Sequence, residues 1–335
     1  MAGDAVVLVT GGAGYIGSHA VYALRANGLR VVVIDDLSTG HRHLLPPDIP
    51  FYLGSCGDRA LVERVIAECS VSAIMHFAAS LVVTESLTRP LDYYRNNTVN
   101  SQVLIETALL NGVKFFIFSS TAAVYGNIER SLIAEVERTD PINPYGTSKL
   151  MIEWMLRDTA AAHDFHYIAL RYFNVAGADP EGRTGEITPQ ATHLFEIACQ
   201  TALGRRREMM IFGTDYPTPD GTCIRDYIHV TDLADAHVLA YRHLLQGGDN
   251  QVLNCGYGHG VSVRQVIDAI ERTTGRALPI REGPRRPGDP AALVADSSRL
   301  RAIFGWRPRF DDLPTIAGHA LTWEARLPTP GLHLD

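Results

Sequence analysis

Val6-Val7-Leu8-Val9-Thr10 running straight into Gly11-Gly12-Ala13-Gly14-Tyr15-Ile16-Gly17 is the feature that most limits the folds open to this chain. A short apolar run of this kind suits a buried strand, and the spaced glycines behind it allow a tight turn into a helix. Without a Cβ, such a turn lets backbone N–H groups approach a pyrophosphate at the positive end of the helix, and Gly17 lets helix and strand pack closely. The run satisfies GxxGxxG from Gly11 and GxGxxG from Gly12. Lying between a strand and a helix, it predicts a dinucleotide site.

The first half of the chain repeats the same rhythm. Val6–Thr10, Arg30–Asp35, Ala73–Phe77, Lys114–Ser119 and Tyr167–Tyr172 read as buried strands, and continuous apolar runs suit a parallel sheet covered on both faces. Between them Ile16–Asn27, Asp58–Glu68, Leu91–Asn111 and Tyr145–His163 have helix length, with Gly28 and Gly112 placed as stops. This alternation predicts an α/β fold, a doubly wound parallel sheet of Rossmann type. After Tyr172 come Gly- and Pro-rich loops at 178–188, 213–222 and 282–290, with helix candidates at Gln190–Leu203, Thr231–Leu245, Val263–Thr273 and Ser297–Phe304. The expected division is a dinucleotide-binding domain over 1–174, joined by part of 225–260, and a smaller C-terminal α/β substrate lobe mainly over 175–335.

With 335 residues, 46% hydrophobic and 20% charged, the chain can bury a large core. A net charge of −7 with scattered basic residues speaks against nucleic acid as a partner, and Arg205-Arg206-Arg207 reads as a solvated helix end. Cys56, Cys69, Cys199, Cys223 and Cys255 are odd in number and form no CxxC pair, so they read as buried, reduced thiols. His41, His43, His163, His166, His237, His259, His319 and His333 are dispersed, with no HExxH or carboxylate cluster, and no metal is expected. No run reaches 18 apolar residues and no leader pattern opens the chain, so no membrane is expected and the location is expected to be cytoplasmic.

Asp35 closes the second strand about 20 residues beyond the glycines, where a carboxylate accepts hydrogen bonds from adenosine ribose hydroxyls and repels a 2′-phosphate. NAD is therefore favoured over NADP. Further on, Asn143-Pro144 introduces a helix that carries Tyr145 and Lys149 four residues apart, on one face. Tyrosine beside lysine is an acid–base unit. The ammonium and a positive nicotinamide ring would bring the phenol from ~10 toward neutrality, which takes about 4 kcal/mol. Taken alone, YxxxK also occurs on exposed helices. Here Phe118-Ser119-Ser120-Thr121 delivers hydroxyls to the carboxyl edge of the sheet, where doubly wound folds bind ligands. Thr121 is placed to hydrogen-bond the substrate hydroxyl that Tyr145 deprotonates.

GGAGYIGS, FSSTAAVYG, PYGTSK, RYFN and DGTCIRDYIHV, in this order and followed by RPGDP, resemble the UDP-glucose 4-epimerase family of extended short-chain dehydrogenases/reductases over about residues 5–325. The resemblance implies an isomerase that interconverts UDP-glucose and UDP-galactose on retained NAD through a transient 4-keto sugar. Tyr145 would be the base, Lys149 its electrostatic partner and a ribose contact, and Thr121 the hydroxyl the family supplies as Ser or Thr. Gly11, Gly14, Tyr15, Ile16 and Gly17 would hold the cofactor, with Asp35, Asp36, Leu37, Ser38, Ser55 and Cys56. Phe77, Ala78, Ala79, Asn97, Ser119 and Tyr172 fall where the family lines the NAD pocket. Asn174, His193, Leu194, Phe212, Arg225, Arg286 and Asp289 would surround the nucleotide sugar, the two arginines on its diphosphate. From the residues alone, Arg225 reads equally as an ion-pair partner of Asp226 or Asp232, and Phe212 as a core aromatic.

Three departures stand out. Gly54-Ser55-Cys56 lacks the carboxylate many members place on the adenine amine, with Asp58 only later. Leu81 stands where some members carry a lysine for the pyrophosphate. Leu293 occupies the position that gates the sugar 2-substituent, and its intermediate size leaves UDP-N-acetylhexosamines and UDP-pentoses open as substrates. A dehydratase relative would need Asp-Glu after Thr121, where this chain has Ala122-Ala123, and a non-catalytic NAD-binding protein would have no need of Thr121, Tyr145 and Lys149 together. Leu91–Asn111 and Trp154–His163 carry apolar surface for a two-helix homodimer seam, although core packing explains the same pattern.

Overall fold

A computed structural model describes residues 5–128, 130–188, 192–286 and 289–328. Seven parallel strands form the central sheet in the order Gln251–Cys255, His166–Tyr172, Phe115–Ser119, Val71–His76, Val6–Thr10, Arg30–Asp35, Phe51–Leu53. Alternate side chains leave opposite faces of each strand. Val7, Val9, Val33, Met75, Ile117 and Leu170 enter one core with Val21 and Leu24 of helix Tyr15–Ala26 and Leu233 and Tyr241 of helix Val230–Leu245. Leu8, Val32, Ile34, Ile74, Phe116 and Phe118 enter a second core on the other face, against Val62 and Val65 of helix Arg59–Cys69, Leu104 and Ile105 of helix Asn100–Leu110, and Ile152 and Leu156 of helix Pro144–Ala162. Two buried faces explain why these strands carry apolar side chains on both sides.

The strand order reverses between Val6–Thr10 and Val71–His76, both of which start crossovers to opposite sides. At such a switch point the carboxyl ends of the strands open a crevice. The smaller lobe adds a four-stranded sheet of very short strands, Val261–Ser262, Ile224–Arg225, Ala292–Ala295 and Leu132–Ile133, and a parallel pair of Met209–Phe212 with Ile280–Gly283. Its Ile211, Val266, Ile270 and Ile316 belong to the same core as Val7 and Val9. No helix among the described residues is long and apolar enough to cross a membrane.

Three expectations change. The helix expected over Leu91–Asn111 is interrupted by a π-helical stretch at Tyr94–Val99, an insertion that π-turns commonly make near functional sites. The helix expected from Gln190 starts at Leu194, residue 190 itself lying outside the described residues. Arg205 is no solvated helix end: it is enclosed, donating to Glu324 Oε1 at 2.7 Å and Leu327 O at 2.6 Å, while Arg206 Nε donates to Gln200 Oε1 at 2.7 Å. A buried carboxylate captured Arg205, which no local pattern announces. All five cysteines are free thiols, Cys69 half-buried and the others buried.

Candidate active site

Gly11 adopts φ +69°, and a Cβ there would meet Ala78 N at 2.5 Å, while a Cβ on Gly17 would meet Gly11 O at 2.1 Å. Both positions are closed to any side chain by backbone. Helix Tyr15–Ala26 begins with Gly14 at its N-cap, without a side-chain cap or an acidic residue in its first turn. Its amides are left for an anion, and a dinucleotide pyrophosphate fits the donor set and the cradle. Tyr15 donates from its hydroxyl to Gly177 O at 2.6 Å, tying the turn to the smaller lobe, and Ile16 packs half-buried on the core.

Asp35 is drawn beside this turn, because its Oδ2 accepts from Ala13 N at 2.9 Å and its Oδ1 from Leu37 N at 2.8 Å. Burial raises its pKa, and those two amides act in the opposite direction. Asp36 closes a local turn, its Oδ1 accepting from Ser38 N at 2.9 Å and Ser38 Oγ at 2.6 Å, and Leu37 between them takes a left-handed φ of 58°. Ser55 Oγ accepts from Gly57 N at 3.1 Å, and Cys56 is buried. The next carboxylate along the chain, Asp58, caps helix Arg59–Cys69 by accepting from Leu61 N. Leu81 is exposed.

Asn143 caps helix Pro144–Ala162 by accepting from Gly146 N at 2.8 Å. A Cβ on Gly146 would meet Ala123 O at 2.5 Å, so this glycine lets the helix close on the Thr121 loop. Tyr145 thereby reaches the Thr121 hydroxyl, which also accepts from Ala123 N at 3.1 Å. One turn on, Lys149 Nζ donates to Ser119 O at 3.0 Å and lies 4.9 Å from the centre of the Phe118 ring. Ser119 Oγ and the Tyr172 hydroxyl share a hydrogen bond of 2.6 Å.

The expected lowering of the phenol is not what the chain alone produces. Burial raises the Tyr145 pKa, with the Thr121 hydrogen bond acting against it, and burial lowers Lys149 to about 7. The physical reason is desolvation: both charged forms leave water, and the ammonium is met by a neutral carbonyl.

Phe77 N and Ala78 N both donate to Thr10 O, at 2.9 and 3.1 Å, which sets Phe77-Ala78-Ala79 across the switch point from the glycine turn. Asn97, inside the π-helical stretch, is fully enclosed. Its Nδ2 donates to Ser80 O and Ser148 Oγ, each at 3.0 Å, and its Oδ1 accepts from Ser80 N at 2.8 Å. It braces the loop after Ala79 against the residue preceding Lys149.

Behind Tyr145 and Lys149 lies a network that the motifs did not reveal. Glu153 Oε1 accepts from Ser120 Oγ at 2.5 Å and from Arg171 Nε at 3.0 Å, and its Oε2 accepts from Arg171 Nη2 at 2.6 Å. Arg171 Nη1 also donates to the Tyr125 hydroxyl at 3.0 Å, which donates to Asn254 Oδ1 at 2.7 Å. The available signals were an arginine inside an apolar strand and a glutamate one turn beyond Lys149.

On the sugar side, Arg225 is buried and ion-paired to Asp289, neither Asp226 nor Asp232 being its partner. Asp226 accepts instead from the amides of Tyr257, Gly258 and Ala295. Arg286 lies 4.1 Å over the Phe212 ring, so that half-buried aromatic serves as a platform for a guanidinium. Leu293 sits beside Arg225 in register on the neighbouring strand and packs on Ala122, Val124 and Tyr125. Asn174 opens the strand Asn174–Ala176 beside Tyr227. His193 is the N-cap residue of helix Leu194–Ala202, its Nδ1 2.5 Å from Glu186 Oε1.

Comparison with known proteins gives the family and the fold. The NAD dependent epimerase/dehydratase family matches residues 7–256. A UDP-glucose 4-epimerase of Azospirillum brasilense is 57% identical over 321 residues, 96% of this chain and 92% of that protein. The crystal structure of the Brucella ovis UDP-glucose 4-epimerase in complex with NAD superposes with a TM-score of 0.93 at 45% identity, covering 95% of this chain and 98% of that one. The UDP-Glc/GlcNAc 4-epimerase of Campylobacter jejuni gives 0.85 at 43% identity over 96% of this chain and the whole of that one. With a glycine turn shaped for a dinucleotide, a Tyr–Lys pair facing a threonine at the switch point, and full-length likeness at this level, the chain belongs to the NAD dependent epimerase/dehydratase family.

Proposed function

We propose that this chain is an NAD-dependent isomerase that interconverts UDP-glucose and UDP-galactose through a transient 4-keto sugar. The observation that carries the reading is Tyr145 against Thr121 at the carboxyl edge of the sheet, with Lys149 one turn behind. Bound NAD supplies a hydride acceptor and a positive charge beside the phenol. Tyr145 takes the proton of the sugar 4-hydroxyl and later returns it, and Thr121 holds that oxygen in line. Lys149, anchored on Ser119 O, stands within reach of the phenol and the ribose. Arg225 and Arg286, held by Asp289 and Phe212, meet the diphosphate. Ala122 and Ala123 form a 3-10 turn with no acid to expel water, which disfavours elimination chemistry.

Purified protein given UDP-galactose without added NAD is expected to form UDP-glucose, and Tyr145→Phe to lose at least ~10²-fold in rate, the scale of general acid–base catalysis. Product that appears only with added NAD would locate a weak cofactor site at Ser55 and Cys56. No product under either condition would remove the UDP-hexose assignment and turn the assay to UDP-N-acetylglucosamine and UDP-pentoses. UDP-N-acetylglucosamine is the second substrate to offer, because half-buried Leu293 leaves less bulk at the gate than a tyrosine would. A homodimer in the cytoplasm completes the reading: Leu91, Val99, Leu110 and Trp154 are exposed along the two helical segments that would pair.

A further inference from the structure

One donor atom from each of Glu186, His193 and Glu196 falls within 4.8 Å of the others, a convergence that the sequence reading did not contain. Glu196 is only 6% exposed, and its Oε2 has no hydrogen-bond partner among the described residues. A buried carboxylate oxygen without a donor is costly, and proteins satisfy such atoms with water, a proton or a cation. Beside it lies a small cavity of about 20 Å³, lined by Glu186, Glu196, Glu324 and the Cys199 thiol among others. That is room for a single water-sized body.

From these residues we infer that the chain carries a structural divalent-cation site, formed by Glu186, His193 and Glu196. The donor set, two carboxylates and an imidazole, suits Mn²⁺ or Zn²⁺. Donors about 2.0–2.2 Å from such an ion stand roughly 3.3–3.6 Å apart, so Glu196 draws in by up to about 1 Å while the His193–Glu186 pair, now at 2.5 Å, opens by about as much. Glu186 is half-buried and His193 exposed, and both have the freedom to close on the enclosed Glu196. The cation replaces the proton now shared between His193 Nδ1 and Glu186 Oε1. Its charge answers a local strain on the carboxylate: burial first, then Glu186 and Glu324, raise the Glu196 pKa, with His193 and Arg206 opposing.

The site includes none of Thr121, Tyr145 or Lys149 and takes only His193 from the residues that the resemblance sets around the nucleotide sugar, so the role assigned to it is structural. Glu186 O accepts from Trp323 Nε1 at 2.8 Å, which fixes that loop to helix Leu313–Arg326. His193 opens helix Leu194–Ala202. Tyr15, next to Glu186 and Glu196, binds Gly177 O. One cation would tie the loop, the helix start and the neighbourhood of the glycine turn together.

The test titrates Mn²⁺ into the full chain after dialysis against a chelator, reading free Mn²⁺ by electron paramagnetic resonance. The expected result is saturable binding of one ion per chain, displaced by Zn²⁺ and weakened at least tenfold in Glu196→Gln. Should Glu196→Gln not fold by circular dichroism, Glu186→Gln carries the same expectation. Absence of saturable binding up to millimolar Mn²⁺, or undiminished binding in the folded variants, would overturn the proposal. Neither outcome touches the isomerase reading, which is measured on UDP-galactose.

Discussion

Two of the places where the described residues bury charge differ in that one is fully paired and the other is not. Around Glu153 and Arg171, side chains 4% and 8% exposed, every carboxylate oxygen and the guanidinium have partners, and Ser120, Tyr125 and Asn254 complete the set. Around Glu196, three carboxylates gather while Arg205 donates to Glu324 and the Leu327 carbonyl, and the Glu196 pKa climbs to about 8 from burial first and from Glu186 next. A closed network holds neighbours at fixed geometry, as Tyr145 and Lys149 require. An open one waits for a component the chain does not supply.

The sharpest way to break this contrast is to halve the closed pair. Arg171→Met leaves Glu153 buried without its cation and is expected to cost about 3–5 kcal/mol in urea denaturation. Glu153→Met with Arg171→Met is expected to recover most of that, since two apolar side chains of similar size replace the pair without an orphan. A double variant as unstable as the single would show that the stability resides elsewhere, and the comparison would fail on its closed side.

How much of this was open to reading depends on chain separation. The glycine turn, Asp35 and the Tyr145–Lys149 pair are set by local spacing, so a strand, a turn and one helical repeat place them. Glu153 and Arg171 are 18 residues apart, Arg171 and Tyr125 46, and Tyr125 and Asn254 129. Only the strand order, which sets Gln251–Cys255 beside His166–Tyr172, brings these residues together. Strands of two residues, such as Ile224–Arg225, are too short to show a period, and they position Arg225 and Leu293. Glu186, His193 and Glu196 are close in sequence but lie on a loop and the first turn of a helix, where no periodicity says which side chains converge. The π-helical turn was hidden for a similar reason: its extra residue is enforced by Asn97 reaching Ser80 and Ser148, not by composition.

On the open side, the same kind of substitution is expected to act with the opposite sign. Glu196→Gln removes one of three crowded carboxylates, so in chelator the variant is expected to be more stable than the parent, by on the order of 1 kcal/mol. With Mn²⁺ at about 100 times its dissociation constant the order should invert, the parent gaining about 2.7 kcal/mol and the variant little. Urea denaturation of both proteins in chelator and in Mn²⁺ gives the four values. A variant less stable than the parent in chelator would mean that Glu196 is already satisfied, and the two regions would then be alike.

The smallest effect lies at the edge of the closed network. Lys149 is one turn before Glu153 but meets a carbonyl, and burial lowers it to about 7 from an unfolded value near ~10.4. Between those two values the unfolded chain holds a proton that the folded chain has released, so stability rises with pH across that window. The slope for one group is at most about 1.4 kcal/mol per pH unit. From pH 7.5 to 8.0 the parent is therefore expected to gain up to about 0.7 kcal/mol relative to Lys149→Met, which has nothing there to titrate. Paired urea curves at the two pH values measure the difference directly. A gap that stays constant with pH would mean that Lys149 remains charged when folded, and that Glu153 and its partners extend their compensation one turn further than their hydrogen bonds reach.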